Sequence, residues 1–133
     1  MTQTMTEMVQ EFHEIFGAYI AERPELATAD VRELRIKLLE EEFNEYKAGV
    51  ADGSLLEIAD AIADMIYIAL GSAISYGIPI DEVFDAVHRS NMSKLDADGK
   101  PIRREDGKIL KGPGYFDPKS AIVDILRKHG ADI

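Results

Sequence analysis

The 133-residue sequence contains no cysteine, which excludes disulfide staples and thiolate metal sites alike. Any bound metal must be held by oxygen or histidine nitrogen, a donor set that suits a hard cation. Long apolar runs are also missing. The longest nearly apolar stretch, Met65 to Ile74, falls well short of the ~20 residues that a bilayer span requires. The first ten residues lack the basic segment and apolar run of a secretory signal, so the expectation is a cytoplasmic protein with no membrane partner. Basic residues are scarce: 15 Lys and Arg stand against 25 Asp and Glu, a formal net charge of −10. That balance argues against nucleic acid as a partner, because phosphate backbones are gripped by clusters of Lys and Arg. It would repel a small anionic substrate too, unless cations mediate the contact.

Helical periodicity is what the sequence does have. Met5, Met8, Val9, Phe12, Ile15, Phe16 and Tyr19 recur at spacings of three and four, predicting a first amphipathic helix that ends near Gly17. Asp30 with Glu33 resembles a cap, and Val31, Leu34 and Leu38 begin the stripe of a second helix closed by Gly49. Ser54 and Glu57 form a capping-box pattern opening a third helix, which Gly77 and Pro79 end. Beyond Asp64 this helix is apolar nearly all round, so it should lie at the centre of a bundle or of a subunit interface. A fourth helix runs from about Pro79 to Met92, with Asp81 and Glu82 in its first turn. From Leu95 to Pro118 two Asp-Gly turns and a Gly112-Pro113-Gly114 corner replace the helical period, which predicts a hairpin or flap. Asp117-Pro118 then opens a short last helix. The expected fold is all-α, a bundle of four to five helices with an irregular flap before the last, in one domain over 1–133.

The second helix carries the chemical signal, because its inward stripe passes from Leu38 into Glu41 and Glu45 at unbroken spacing. At about 100° per residue, Glu41, Glu42 and Glu45 share an arc of roughly 100°. On the third helix Glu57, Asp60 and Asp64 lie within roughly 60° of one another, in a row that continues into Tyr67 and Gly71. The short link from Val50 to Ser54 makes the two helices antiparallel neighbours, so the acids converge. Acid-rich helices commonly face water, but two acid clusters on two adjacent core stripes do not fit that pattern. Crowded carboxylates away from water raise one another's pKa and call for positive charge, which one or two Mg²⁺ ions can supply while leaving room for water and phosphate oxygens.

Leu38-Leu39-Glu40-Glu41-Glu42-Phe43-Asn44-Glu45 followed by Glu57-Ile58-Ala59-Asp60 resembles the Glu-Glu-x-x-Glu and Glu-x-x-Asp signature of the MazG-like all-α nucleoside triphosphate pyrophosphohydrolases. Phe12-His13, Gly17, Arg35, Asp64-Met65-Ile66-Tyr67 and Val87 to Lys94 are similar to the branch related to phosphoribosyl-ATP pyrophosphohydrolase, over roughly residues 7 to 118. The resemblance implies that Glu41, Glu42, Glu45, Glu57 and Asp60 supply the metal ligands and the water-activating group. It implies roughly one to three Mg²⁺ ions, with Mn²⁺ as an alternative. In some branches the aspartate directly precedes the apolar Tyr-containing run; that register selects Asp64 and leaves Ala61 where a Glu is expected, so Asp60 and Asp64 both remain candidates. Glu42 or Glu41 is the candidate general base. Around the phosphates the candidates are Arg89, Lys94 and Lys111, with Arg103, Arg104 and Lys108 nearby. For the base they are Asn91 with Phe12, His13 or Phe16. The implied activity is cleavage of a (deoxy)nucleoside triphosphate, dUTP or dCTP foremost, to monophosphate and pyrophosphate by a homo-oligomer, a dimer or tetramer, in nucleotide housecleaning.

Four other readings compete. Phosphoribosyl-ATP is the alternative substrate. A di-iron bundle needs two Glu-x-x-His pairs, and only Asp85-x-x-His88 comes close. An EF-hand fails because Gly99 falls at the fourth loop position, not the sixth. A non-catalytic helical interaction protein, with its acids exposed, is the alternative from another class.

Overall fold

The computed structural model describes residues 2–133. Five helices follow in order: α1 (Met5–Phe16), α2 (Ala29–Asp52), α3 (Leu55–Tyr76), α4 (Ile80–Met92) and α5 (Lys119–Lys128). Between α4 and α5 stand two short antiparallel strands, β1 (Ile102–Arg103) and β2 (Ile109–Leu110), with Ile102 opposite Leu110 and Arg103 opposite Ile109. The all-α class and the flap hairpin are thus as the sequence predicts. The chain forms two compact units, Met1–Ile78 and Pro79–Ile133.

In the first unit, α1 begins with a complete capping box between Thr4 and Glu7 and ends at Gly17 in the left-handed region. Helix α2 starts after Thr28, not at Asp30: the Thr28 hydroxyl turns to the Asp30 carboxylate (2.6 Å) and makes no cap bond. It also runs past Gly49 to Asp52. Gly49 is buried mid-helix because a Cβ there would stand 3.1 Å from the Ile58 nitrogen, so this glycine marks close contact with α3 and Gly53 ends the helix instead. The Ser54 hydroxyl accepts from the Glu57 N–H (3.2 Å), and α3 ends at Gly77 as its sequence predicts.

Both α1 and α2 pack on α3, around a core that includes Val9, Ala61, Ala73 and Ile74. The α1–α2 loop is stitched to the end of α3: the Ala21 and Glu25 amides donate to the Ile74 and Tyr76 carbonyls (3.2 and 3.0 Å), and the Ser75 hydroxyl donates to the Tyr19 carbonyl (2.8 Å). By length and composition the whole of α3, unlike its nearly apolar stretch from Met65 to Ile74, meets the requirement for a membrane span, and 28% of its most apolar window is buried in this chain. Gly71, Ala73, Ile74 and Ser75 are enclosed, as the all-round apolarity requires, whereas Ile66 and Tyr67 stay open.

In the second unit, the flap is closed at its neck. Ser90, 2% exposed, donates to the Phe116 carbonyl (2.7 Å), whose own amide donates to the Ser93 hydroxyl (3.2 Å). Gly112 lies against the Leu95 carbonyl with no room for a Cβ. Both Asp-Gly turns form, with Gly99 and Gly107 at positive φ. The Glu82 carboxylate at the start of α4 accepts from Lys128 (2.7 Å) and contacts His129, fastening the end of α5.

Candidate metal centre

Antiparallel packing sets α2 and α3 against each other at levels spaced seven residues apart on both helices: Gly49 meets Glu57 and Ile58, Glu42 meets Asp64, and Arg35 meets Gly71. Seven residues is nearly two full turns, so the same face returns at each level. At the middle level Glu42, Glu45 and Asp64 each offer a carboxylate oxygen within 4.8 Å of the others. The Glu42 carboxyl is crowded by those of Glu45 and Asp64, and its Oε2 is shut off from solvent without a hydrogen-bond partner. Its carboxyl is pushed up to about 7, first because of lost solvation, then through the hydrogen bond to Glu45 and the charge of Asp64.

The donor set fits a hard divalent cation. It is all oxygen, it crowds negative charge, and it leaves one buried oxygen unpartnered. Of the two registers that the sequence allows for the third helix, the geometry brings Asp64 into the cluster; Asp60, Glu57 and Glu41 are exposed and lie outside the trio. Ala61, at the same helical row one turn before Asp64, is 1% exposed and brings no ligand. Glu57 instead takes the third position of α3, where its amide is capped by Ser54.

Phe12 stacks on Phe16 with ring centroids 4.4 Å apart and meets Tyr67 edge-on at 5.7 Å, forming an open aromatic group between α1 and α3. His13 differs: it is 3% exposed and its Nδ1 bonds to the Tyr19 carbonyl (3.2 Å). Burial, with the charge of Arg35 behind it, holds the imidazole below its usual pKa. In the second unit Asn91 is exposed, Lys94 half-buried, and Arg89 paired with Asp85 (2.9 Å) one turn back on α4. Lys111 stands over the Tyr115 ring at 4.8 Å. Arg104 is held by Asp106, and Arg103 and Lys108 sit exposed on the hairpin.

Two residues outside the predicted site are prominent. Arg35 is 8% exposed, and its guanidinium donates to the Ile68 carbonyl (2.7 Å) and the Ser72 hydroxyl (3.0 Å) of α3. Gly71 lies beside it. The sequence signal for Gly71 was present, because a glycine inside a long apolar helix lowers helix stability and marks a close approach.

The sequence model of the phosphoribosyl-ATP pyrophosphohydrolase family matches residues 9–91, a span that contains the trio. No curated protein matches the chain. Among solved structures the fold is similar to that of a candidate NTP pyrophosphohydrolase from Exiguobacterium sp. 255-15, with a TM-score of 0.53, 23% identity, and 96% of each chain covered. That likeness is one of fold. The family match supplies the chemistry and removes the reading as a non-catalytic interaction protein. The chain belongs to the phosphoribosyl-ATP pyrophosphohydrolase family of the MazG-like superfamily and is a hydrolase of pyrophosphate bonds.

Proposed function

We propose that the chain is a Mg²⁺-dependent nucleoside triphosphate pyrophosphohydrolase that converts a deoxynucleotide, dUTP or dCTP foremost, to the monophosphate and pyrophosphate. The observation that carries the reading is the convergence of Glu42, Glu45 and Asp64 on one point, with a buried Glu42 oxygen left unpartnered. Those three side chains hold the cation. When bound, Mg²⁺ supplies a polarised water and neutralises charge on phosphate oxygens. Glu41, next to the trio on α2 but outside it, keeps a carboxylate free to take the water's proton, while Glu42 is the other candidate for that role. In the first unit Phe12 and Phe16 offer stacking faces for a base; in the second, Asn91, Lys94, Arg89 and Lys111 are polar and basic candidates for substrate contact that the family resemblance alone suggests.

Phosphoribosyl-ATP is a second reading of the substrate, favoured by the family model itself. Both substrates are cut next to the α-phosphorus, so the same trio serves either. The working form on this reading is a homo-oligomer in the cytoplasm. Its support is the apolar surface left open beside α3, where Ile36, Leu39 and Phe43 line one groove and Met5, Met8, Ile66 and Tyr67 another.

Pyrophosphate release with Mg²⁺ should be measured across dUTP, dCTP, dTTP, dATP, dGTP, the ribonucleotides and phosphoribosyl-ATP. A preference for dUTP or dCTP, abolished by chelator, is expected. Turnover of phosphoribosyl-ATP alone would move the substrate to the second reading, and release from none of them would refute the proposal.

A further inference from the structure

We propose that Arg35 is a positioning residue: it locks α2 against α3 so that Glu42 and Glu45 stand opposite Asp64. The inference rests on the trio being the cation site, and it starts from an oddity. A buried guanidinium is normally matched to a carboxylate, but no carboxylate pairs with Arg35 among the described residues. A well-packed apolar side chain of similar volume is often as stable or more so. Arg35 therefore sits where stability alone does not favour it.

Its partners show what it does. Both acceptors, the Ile68 carbonyl and the Ser72 hydroxyl, belong to one turn of α3. A planar fork with two acceptors on one turn fixes rotation and axial position together, which a single contact does not. That turn begins four residues beyond Asp64, and Arg35 lies seven residues before Glu42 on the same face of α2. A slip of α2 by one residue would carry Glu42 about 1.5 Å along the axis and turn it by about 100°, out of reach of Asp64.

The molecule makes room for this fork. A Cβ on Gly71 would stand 2.5 Å from Arg35 Nη2 and 2.8 Å from His13 Nε2. His13 Nδ1 must carry the ring proton, since the Tyr19 carbonyl can only accept, so Nε2 presents a lone pair on the side where the guanidinium lies. Ser75 donates to that same Tyr19 carbonyl. Residues from α1, α2 and α3 thus close around Arg35, at one end of the seam whose other end is the Gly49 contact.

The absence of cysteine allows a direct test. A Glu42→Cys/Asp64→Cys pair places two thiols at the middle level, and the rate at which they crosslink on mild oxidation reads the alignment without any metal. Adding Arg35→Met should slow crosslinking at least fivefold, and adding the milder Ser72→Ala, which removes one of the two acceptors, about twofold. In the chain with its carboxylates intact, Arg35→Met should weaken Mn²⁺ binding, followed by electron paramagnetic resonance, at least tenfold without lowering the melting temperature. Arg35→Lys, which keeps the charge and loses the fork, should recover part of that affinity. Unchanged crosslinking in both Arg35→Met and Ser72→Ala would overturn the proposal, and so would unchanged Mn²⁺ affinity in Arg35→Met. Should Arg35→Met not fold, Ser72→Ala decides alone. Slowed crosslinking in a protein whose wild type binds no Mn²⁺ would support the lock and refute the cation site.

Discussion

Calorimetric titration of Mg²⁺ into the protein should release protons at acid pH and almost none at alkaline pH. The perturbation acts on Glu42, whose carboxyl is raised to about 7 by lost solvation and by its neighbours Glu45 and Asp64. A cation bound by this carboxylate must displace its proton. With a midpoint of about 7, the group is about nine-tenths protonated at pH 6 and about one-tenth at pH 8, so proton release per ion should fall from about 0.9 to about 0.1. Apparent affinity should rise about tenfold in the same interval. Repeating the titration in buffers of different ionisation enthalpy gives the proton count directly. Equal counts at both pH values, or none at pH 6, would refute the assignment of Glu42 as a ligand.

The same shift predicts how the metal-free protein responds to pH. A carboxyl raised in the folded state binds its proton more tightly folded than unfolded, so its contribution to stability is greatest below about pH 4.5 and is lost as pH rises through about 7. The melting temperature should therefore fall over that interval, and Mg²⁺ should restore it; Glu42→Gln should flatten the profile. Glu45→Gln and Asp64→Asn should cut Mg²⁺-dependent turnover at least ~100-fold and abolish tight binding, whereas Asp60→Asn and Glu57→Gln, outside the trio, should cost under about fivefold. Gly49→Ala puts a methyl 3.1 Å from the Ile58 backbone nitrogen and should destabilise by about 1–3 kcal/mol in chemical denaturation. Ser90→Ala takes from the Phe116 carbonyl its buried donor; a loss of about 1–2 kcal/mol is expected, with faster hydrogen exchange at the neck of the flap.

Much of this architecture was legible from local chemistry. The α3 boundaries could be read because Ser54 and Gly77 are strong terminal signals, and the flap because Gly99 and Gly107 sit in turns that need positive φ. Where a glycine has more than one use, the sequence is ambiguous. Gly49 reads as a helix end, but it serves the close contact with α3 instead, and Gly53 takes the cap. The same ambiguity affects the acids. Glu57, Asp60 and Asp64 share one face, yet the level at which α3 meets Glu42 decides which one joins it, and that level depends on contacts at Arg35 and Gly49 that periodicity does not encode. His13 shows the converse, since a polar residue on an amphipathic helix reads as available for binding when its ring is already enclosed.

The convergence of the acids on a cation is tested most directly by crystals soaked in Mn²⁺, with data collected at the manganese absorption edge. An anomalous peak bonded to carboxylate oxygens of Glu42, Glu45 and Asp64 together is the expected result. A peak held by Glu57 and Asp60 without Asp64, or no peak beside Glu42 at saturating Mn²⁺, would contradict it.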